Sequence, residues 1–193
     1  MVVYLRAIFY PEGFFFPLAE FGIGDLFGRL LLTEVGREAA TLVLIFSGAW
    51  LFGQNRRQRF AYFLTIFAVW DIFYYVWLKV LLDWPGSVMD WDILFLIPVA
   101  WASPVLAPVL ISVAMLVFAW IILYRDSCSR PVKASAFEWS GFVLSALVVF
   151  VSFCIAGRYV AQADFESYFY WPVFAVGYVL AIALFVKCFL KSK

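Results

Sequence analysis

Five ionisable residues lie inside apolar stretches long enough to cross a membrane, and they are the best placed to do chemistry. They are Glu34, Arg37, Glu38, Asp71 and Lys79. A charged side chain inside a bilayer is costly, so such residues usually mark a ligand site, an ion path or a charge pair. These residue types allow acid–base chemistry by a carboxylate, binding of a polar group, or pairing between helices.

The spacing of these residues predicts which of them meet. Glu34, Arg37 and Glu38 stand at i, i+3 and i+4, so they share one face of a helix. Counted from the shared ends of two antiparallel helices, Arg37 and Asp71 differ in depth by about 7.5 Å, which an arginine side chain can largely bridge. We therefore predict a pair between Arg37 and Asp71, and a second pair between Lys79 and Glu34 or Glu38.

A pocket is predicted around these charges, in the outer half of the first two spans. Tyr74 and Tyr75 follow Asp71 at i+3 and i+4, so either hydroxyl can reach the carboxylate. Asp92 lies in the loop 83–104, which we expect to cover the pocket. The candidate ligand-binding or charge-network residues are Glu34, Arg37, Glu38, Asp71, Tyr74, Tyr75, Lys79 and Asp92. The candidate acids or bases are Asp71, Glu38 and Asp92.

Several kinds of site are excluded by composition. The chain has no histidine, which removes His-ligated haem, the usual zinc and copper sites, and Ser–His or Cys–His catalysis. Its three cysteines stand far apart, without the spacing of a metal site or a disulfide framework. We expect no metal, no cofactor and no nucleic-acid partner.

The class of protein follows from the balance of apolar and charged residues. Of 193 residues, 66% are apolar and 14% are charged, and the mean hydropathy is +0.97. A soluble domain is about 45–50% apolar and about 25% charged. The sequence predicts an all-α, polytopic membrane bundle that forms a single domain over residues 1–193.

About five transmembrane helices are predicted, since each needs about 20 apolar residues. They cover about 30–53, 60–82, 104–124, 139–157 and 169–186. Prolines and glycines interrupt residues 1–28, which are expected to be interfacial or re-entrant. Pro98, Pro104 and Pro108 make the apolar run from 93 to 124 too broken for one helix, so 93–103 is expected to be a re-entrant or interfacial stretch.

The distribution of basic residues predicts the orientation. Nine lie on one side of the five spans and three on the other. The nine are Arg56, Arg57, Arg59, Arg125, Arg130, Lys133, Lys187, Lys191 and Lys193. The positive-inside rule assigns them to the cytoplasm, so the N-terminus is outside and the C-terminus inside a bacterial-type plasma (inner) membrane.

Three functions stay open at this point. The first is a non-catalytic accessory subunit of other membrane proteins, or a binder of an amphiphilic or hydrophobic ligand, surrounded by membrane lipid. The second is a membrane-embedded enzyme that acts on a lipid or isoprenoid with a carboxylate as acid or base. The third is a small proton-coupled transporter in which Asp71 titrates.

Overall fold

The computed structural model describes residues 25–97, 99–158 and 169–191, with side chains from residue 32 onward. Five helices and one two-stranded antiparallel sheet make up this part of the chain. The helices are α1 Asp25–Phe52, α2 Arg56–Leu82, α3 Leu106–Ser127, α4 Ala136–Gly157 and α5 Trp171–Lys191. The strands are β1 Trp91–Phe95 and β2 Trp101–Pro104.

All five helices are long and apolar enough to cross a membrane, which confirms the predicted number of spans. The helix bounds lie within five residues of the predicted spans at each end. Of the predicted interfacial segment 1–28, residues 25–28 belong to helix α1, and residues 1–24 lie outside the described residues.

Side-chain caps define where two of the helices begin. Asn55 accepts a hydrogen bond from the Gln58 N–H at 3.0 Å, and α2 starts at the next residue. Ser135 and Glu138 form a reciprocal capping box at the start of α4. Each cap satisfies N–H groups that the first turn of a helix leaves without an intrahelical partner.

The proline-rich stretch is a β-hairpin, which an all-α prediction does not contain. Trp91 pairs with Pro104, and Asp92 pairs with Ser103, in an antiparallel register. Short apolar runs do not distinguish a strand from a buried helix by periodicity alone, so hydropathy could not reveal this sheet. Pro98, which lies between the strands, is outside the described residues.

The helices form a group of three and a pair. Helix α2 packs along α3, with Ala61 and Leu64 against Ala119 and Ile122. Helix α1 packs mainly on α2, and α4 packs on α5. The hairpin packs against α4, which joins the two groups.

Small residues allow the close approach of α4 and α5. A Cβ atom on Gly177 would lie 3.0 Å from the Ser145 carbonyl oxygen and 2.8 Å from Val149 Cγ2. The Ser145 hydroxyl donates to the Gly177 carbonyl at 2.7 Å. Small side chains and hydroxyl hydrogen bonds of this kind drive helix association in lipid. Lipid tails are as apolar as the helix surface, so the hydrophobic effect does not bring the helices together.

The two ends of the bundle differ in chemistry. The basic end is where α1, α3 and α5 finish and α2 and α4 begin, and the hairpin end is the opposite one. At the basic end, Asp126 of α3 accepts hydrogen bonds from Asn55 at 3.1 Å and from Gln58 at 2.7 Å. The basic residues concentrated there are Arg56, Arg57, Arg59, Arg125, Arg130, Lys133, Lys187 and Lys191.

Candidate functional site

Glu38 fastens the hairpin to helix α1. Its side chain is 3% exposed, and the Leu96 N–H is shared between its two carboxylate oxygens at 3.0 and 2.9 Å. The Ile97 N–H also bonds to this carboxylate. Turn N–H groups cannot rely on water in an apolar environment, so the carboxylate satisfies them. Glu38 therefore binds backbone, and does not form the predicted pair with Lys79.

Asp71 connects α2 to α3. It is 8% exposed, and its Oδ2 accepts a 2.8 Å hydrogen bond from the Ser112 hydroxyl. Sequence reasoning missed Ser112, although a signal was present: it is the single polar residue between residues 105 and 123. A lone hydroxyl in such a run is a natural partner for a carboxylate on the neighbouring helix.

Asp92 and Tyr75 join Asp71 and Ser112 in what we call the polar cluster. Asp92 is 1% exposed on β1, and the Tyr75 hydroxyl hydrogen-bonds to its carboxylate. Asp71 is close enough to both residues to interact electrostatically with them. Two neighbouring buried carboxylates can share a proton, so the cluster has the parts needed for acid–base chemistry.

Arg37 and Lys79, the two predicted cations, each pair with a residue one turn away along the chain. Arg37 donates to Glu34 Oε1, with the Arg37 Nε at 2.8 Å. Lys79 Nζ lies 2.7 Å from Asp83 Oδ1, and this contact lowers the pKa of the exposed Asp83 carboxyl below its ordinary value. Among the described residues, neither the predicted Arg37–Asp71 pair nor the pairing of Lys79 with an α1 glutamate is formed. Partners one turn away are already within reach, whereas a cross-helix partner depends on how the helices are rotated.

Tyr74 lies beside other aromatic rings. Its ring stacks on Trp70 at 6.3 Å and meets the edge of Tyr75 at 5.1 Å. It is also near enough to Arg37 for an electrostatic interaction. Of the two tyrosines that were predicted beside Asp71, Tyr75 is therefore the one in the polar cluster.

A large apolar cavity lies between the α2–α3 pair and the α4–α5 pair. Its volume is about 1300 Å³, and it is partly open to the surroundings. Most of the lining is aromatic or aliphatic, including Phe63, Phe67, Leu94, Phe95, Trp101, Met115, Phe118, Phe142, Phe150, Phe153 and Tyr178. Asp71 and Ser112 contribute to the wall toward the hairpin end. This cavity lies between other helices than the pocket predicted in the outer half of the first two spans, although Asp71 belongs to both.

Aromatic contacts bound the cavity. The Phe60 and Trp139 rings meet edge to face at 5.3 Å near the basic end. At the hairpin end, the Trp101 ring meets the edge of Phe150 at 4.8 Å. On the α3–α5 side, the Phe118 and Phe185 rings stack at 3.9 Å. The 22% aromatic content of the sequence was the available signal, but it does not separate cavity-lining rings from lipid-facing ones.

Metal binding finds no support in the part of the chain that the structure describes. No group of three or more Cys, Asp or Glu side chains there is arranged to hold an ion. The cavity and the polar cluster are two candidate features for a ligand site in this part of the chain.

No protein-family model, no curated protein and no solved structure matches this chain. What the protein binds or does therefore rests on the chemistry of the cavity and the polar cluster themselves.

Proposed function

We propose that the protein is a non-catalytic binder of an amphiphilic membrane ligand, which it holds in the cavity between its helix pairs. The cavity is the observation that carries the proposal. Ligand sites are typically about 300–1,000 Å³, mostly apolar, with a few polar groups. At about 1300 Å³, with a predominantly aromatic and aliphatic wall, this cavity suits a ligand with a long apolar tail.

The hydrogen bond to Asp71 gives this carboxylate a structural role that requires no catalysis. Its carboxylate is engaged by Ser112 across two helices. Interhelical polar contacts of this type stabilise membrane bundles by about 0.6 kcal/mol on average. Such a binder can work alone or as an accessory subunit of a larger membrane assembly.

Native mass spectrometry from mild detergent, with lipid extraction, tests the proposal. Ala146 lines the cavity, so the indole ring of Ala146→Trp obstructs part of it, and we expect the amount of bound lipid to fall about tenfold. Ala40→Trp is the matched control, because Ala40 is exposed on α1 and does not line the cavity. Intrinsic tryptophan fluorescence on heating shows whether both variants fold.

The proposal fails if the folded Ala146→Trp variant carries as much lipid as the wild type and the Ala40→Trp control. A protein subunit that copurifies in the same spectra identifies the accessory role. A lipid-loaded protein without partners identifies a self-contained binder.

A membrane-embedded enzyme is the second candidate, favoured by the position of Asp71 in the cavity wall beside Asp92. A carboxylate there can exchange a proton with a bound lipid or isoprenoid. Liposomes that contain the protein and an isoprenoid lipid are incubated, and their lipid composition is followed by mass spectrometry. Conversion of lipid by the wild type, lost in folded Asp71→Asn, supports the enzyme. Unchanged lipid composition supports the binder.

We also propose an orientation in the membrane. The basic end faces the cytoplasm of a bacterial-type cell, so the C-terminus is inside, the N-terminus is outside, and the hairpin end lies at the outer surface. Cys128, exposed at the basic end, reports this directly. In a Cys154→Ala and Cys188→Ala background, a membrane-impermeant maleimide labels Cys128 only after the cells are permeabilised. Labelling of intact cells overturns the orientation.

A further inference from the structure

The ionisable residues that line the cavity are separated by sign. Arg56, Arg57 and Lys133 line it at the basic end, and Asp71 lines it toward the hairpin end. The wall between them is apolar. An occupant is therefore met by cations at one end of the cavity and by hydrocarbon and aromatic surface along most of its length.

Three cations are concentrated at the basic end of the cavity, which we call the basic mouth. Arg57 Nε lies 3.2 Å from Asp126, whereas the exposed Arg56 stands at the first position of α2. No acidic residue occurs in the first turn of α2. The N-terminal end of a helix carries a positive partial charge of its own, so cations at this place favour a nearby anion.

On α2, the apolar lining of the cavity is at least one leaflet long. Phe60 and Asp71, which both line it, are 11 residues apart on α2. At about 1.5 Å per residue this is about 16 Å along the helix. Half of the hydrocarbon core of a bilayer is about 15 Å. A lipid with its head at the basic mouth can therefore lay a tail of one leaflet's length along this wall.

We infer that the occupant of the cavity is a membrane lipid with an anionic phosphate head group, held by Arg56, Arg57 and Lys133, with its tail along the apolar wall. This inference rests on the proposed function and names the class of ligand. Head-group charge complements the mouth, and the tail complements the wall. A neutral lipid with the same tail satisfies the wall alone.

Two lipids with identical acyl chains test the inference: phosphatidic acid and diacylglycerol. Each is titrated against the full-length protein in mild detergent, and binding is measured by native mass spectrometry. A basic residue near an anionic lipid contributes about fivefold in affinity, so the Arg56→Gln and Lys133→Gln double variant loses about 25-fold for phosphatidic acid. Its affinity for diacylglycerol stays within about twofold of the wild type, because no apolar contact has changed.

Arg130→Gln is the matched control, since Arg130 is exposed at the same end but does not line the cavity. It keeps the preference for phosphatidic acid. If it loses the preference as fully as a single Arg56→Gln variant does, general surface charge explains binding and the inference is overturned. We expect that inorganic phosphate at millimolar concentration does not displace the lipid. If it does, the ligand is a free phosphate and the assignment of a lipid is overturned.

Two results distinguish a failure of the phosphate head group from a failure of the lipid-binding cavity. Equal binding of both lipids by the wild type overturns the phosphate head group but leaves the lipid-binding cavity standing. Binding of neither lipid, together with no effect of Ala146→Trp on copurifying lipid, overturns both.

Discussion

Replacing Gly157 by alanine tests how closely the hairpin is seated on helix α4. A Cβ atom at this position would lie 1.9 Å from the Ala100 carbonyl oxygen and 2.7 Å from its carbonyl carbon. An ordinary contact between carbon and a carbonyl oxygen is about 3.3–3.6 Å. The hairpin would have to move away by at least about 1.4 Å. Both partners are backbone, so no flexible side chain can absorb the shift.

The expected cost follows from this geometry. Overpacking a well-packed site costs about 1–3 kcal/mol, and a backbone-to-backbone clash belongs at the upper end. Alanine in a helix recovers about 0.5–1 kcal/mol relative to glycine. We therefore expect Gly157→Ala to lower the free energy of unfolding by about 2 kcal/mol.

Gly36→Ala is the matched control on α1. A Cβ atom there meets nothing within 4 Å, so the substitution keeps only the gain in helix propensity, about 0.5–1 kcal/mol. Unfolding by sodium dodecyl sulfate in mixed micelles, followed by tryptophan fluorescence, measures both variants. Trp101, next to Ala100, packs on Phe150 and reports displacement of the hairpin. Equal stabilities of the two variants would refute the close seating of the hairpin on α4.

Three further contacts are tested by substitution with the same unfolding measurement. Glu38→Ala removes the carboxylate that accepts from the Leu96 N–H, and we expect it to lower the free energy of unfolding by about 1.5–3 kcal/mol. Glu38→Gln keeps one acceptor and lowers it less. No difference from the wild type would contradict the role of Glu38. Ser112→Ala removes the hydroxyl that donates to Asp71, and we expect it to lower the free energy of unfolding by about 0.6–1.7 kcal/mol. If the two residues act as one pair, adding Asp71→Asn to this variant causes no further loss of stability. Ser135→Ala removes the cap of α4 and costs about 0.5–2 kcal/mol, whereas an unchanged midpoint would show that the capping box contributes nothing.

The candidate site was predicted in part. Glu38, Asp71, Tyr75 and Asp92 were chosen from residue type and position, and all four are buried at or near the hairpin end. Their partners were not predictable, because each lies on another element: Leu96 in the hairpin for Glu38, and a serine on α3 for Asp71. The choice between these partners and the predicted ones depends on helix rotation, which a single sequence does not contain.

The cavity illustrates the same limit. Phe63, Phe118 and Phe150 are ordinary members of apolar runs, and nothing in their spacing marks them as lining residues. A phenylalanine that faces lipid and one that faces a cavity satisfy the same hydropathy rule. A phenylalanine faces a cavity only because two groups of helices are arranged around it.

By itself, the sequence determined the mostly helical class of the protein, the five helices that are long and apolar enough to cross a membrane, and the concentration of basic residues at one end. These follow from hydropathy and charge, which act on each segment separately because a bilayer selects continuous apolar stretches. The tertiary structure decided the hairpin, the partners of the buried carboxylates and the cavity. These depend on contacts between residues far apart in the chain, and their energies are set by packing and hydrogen bonding between elements, which local sequence patterns do not specify.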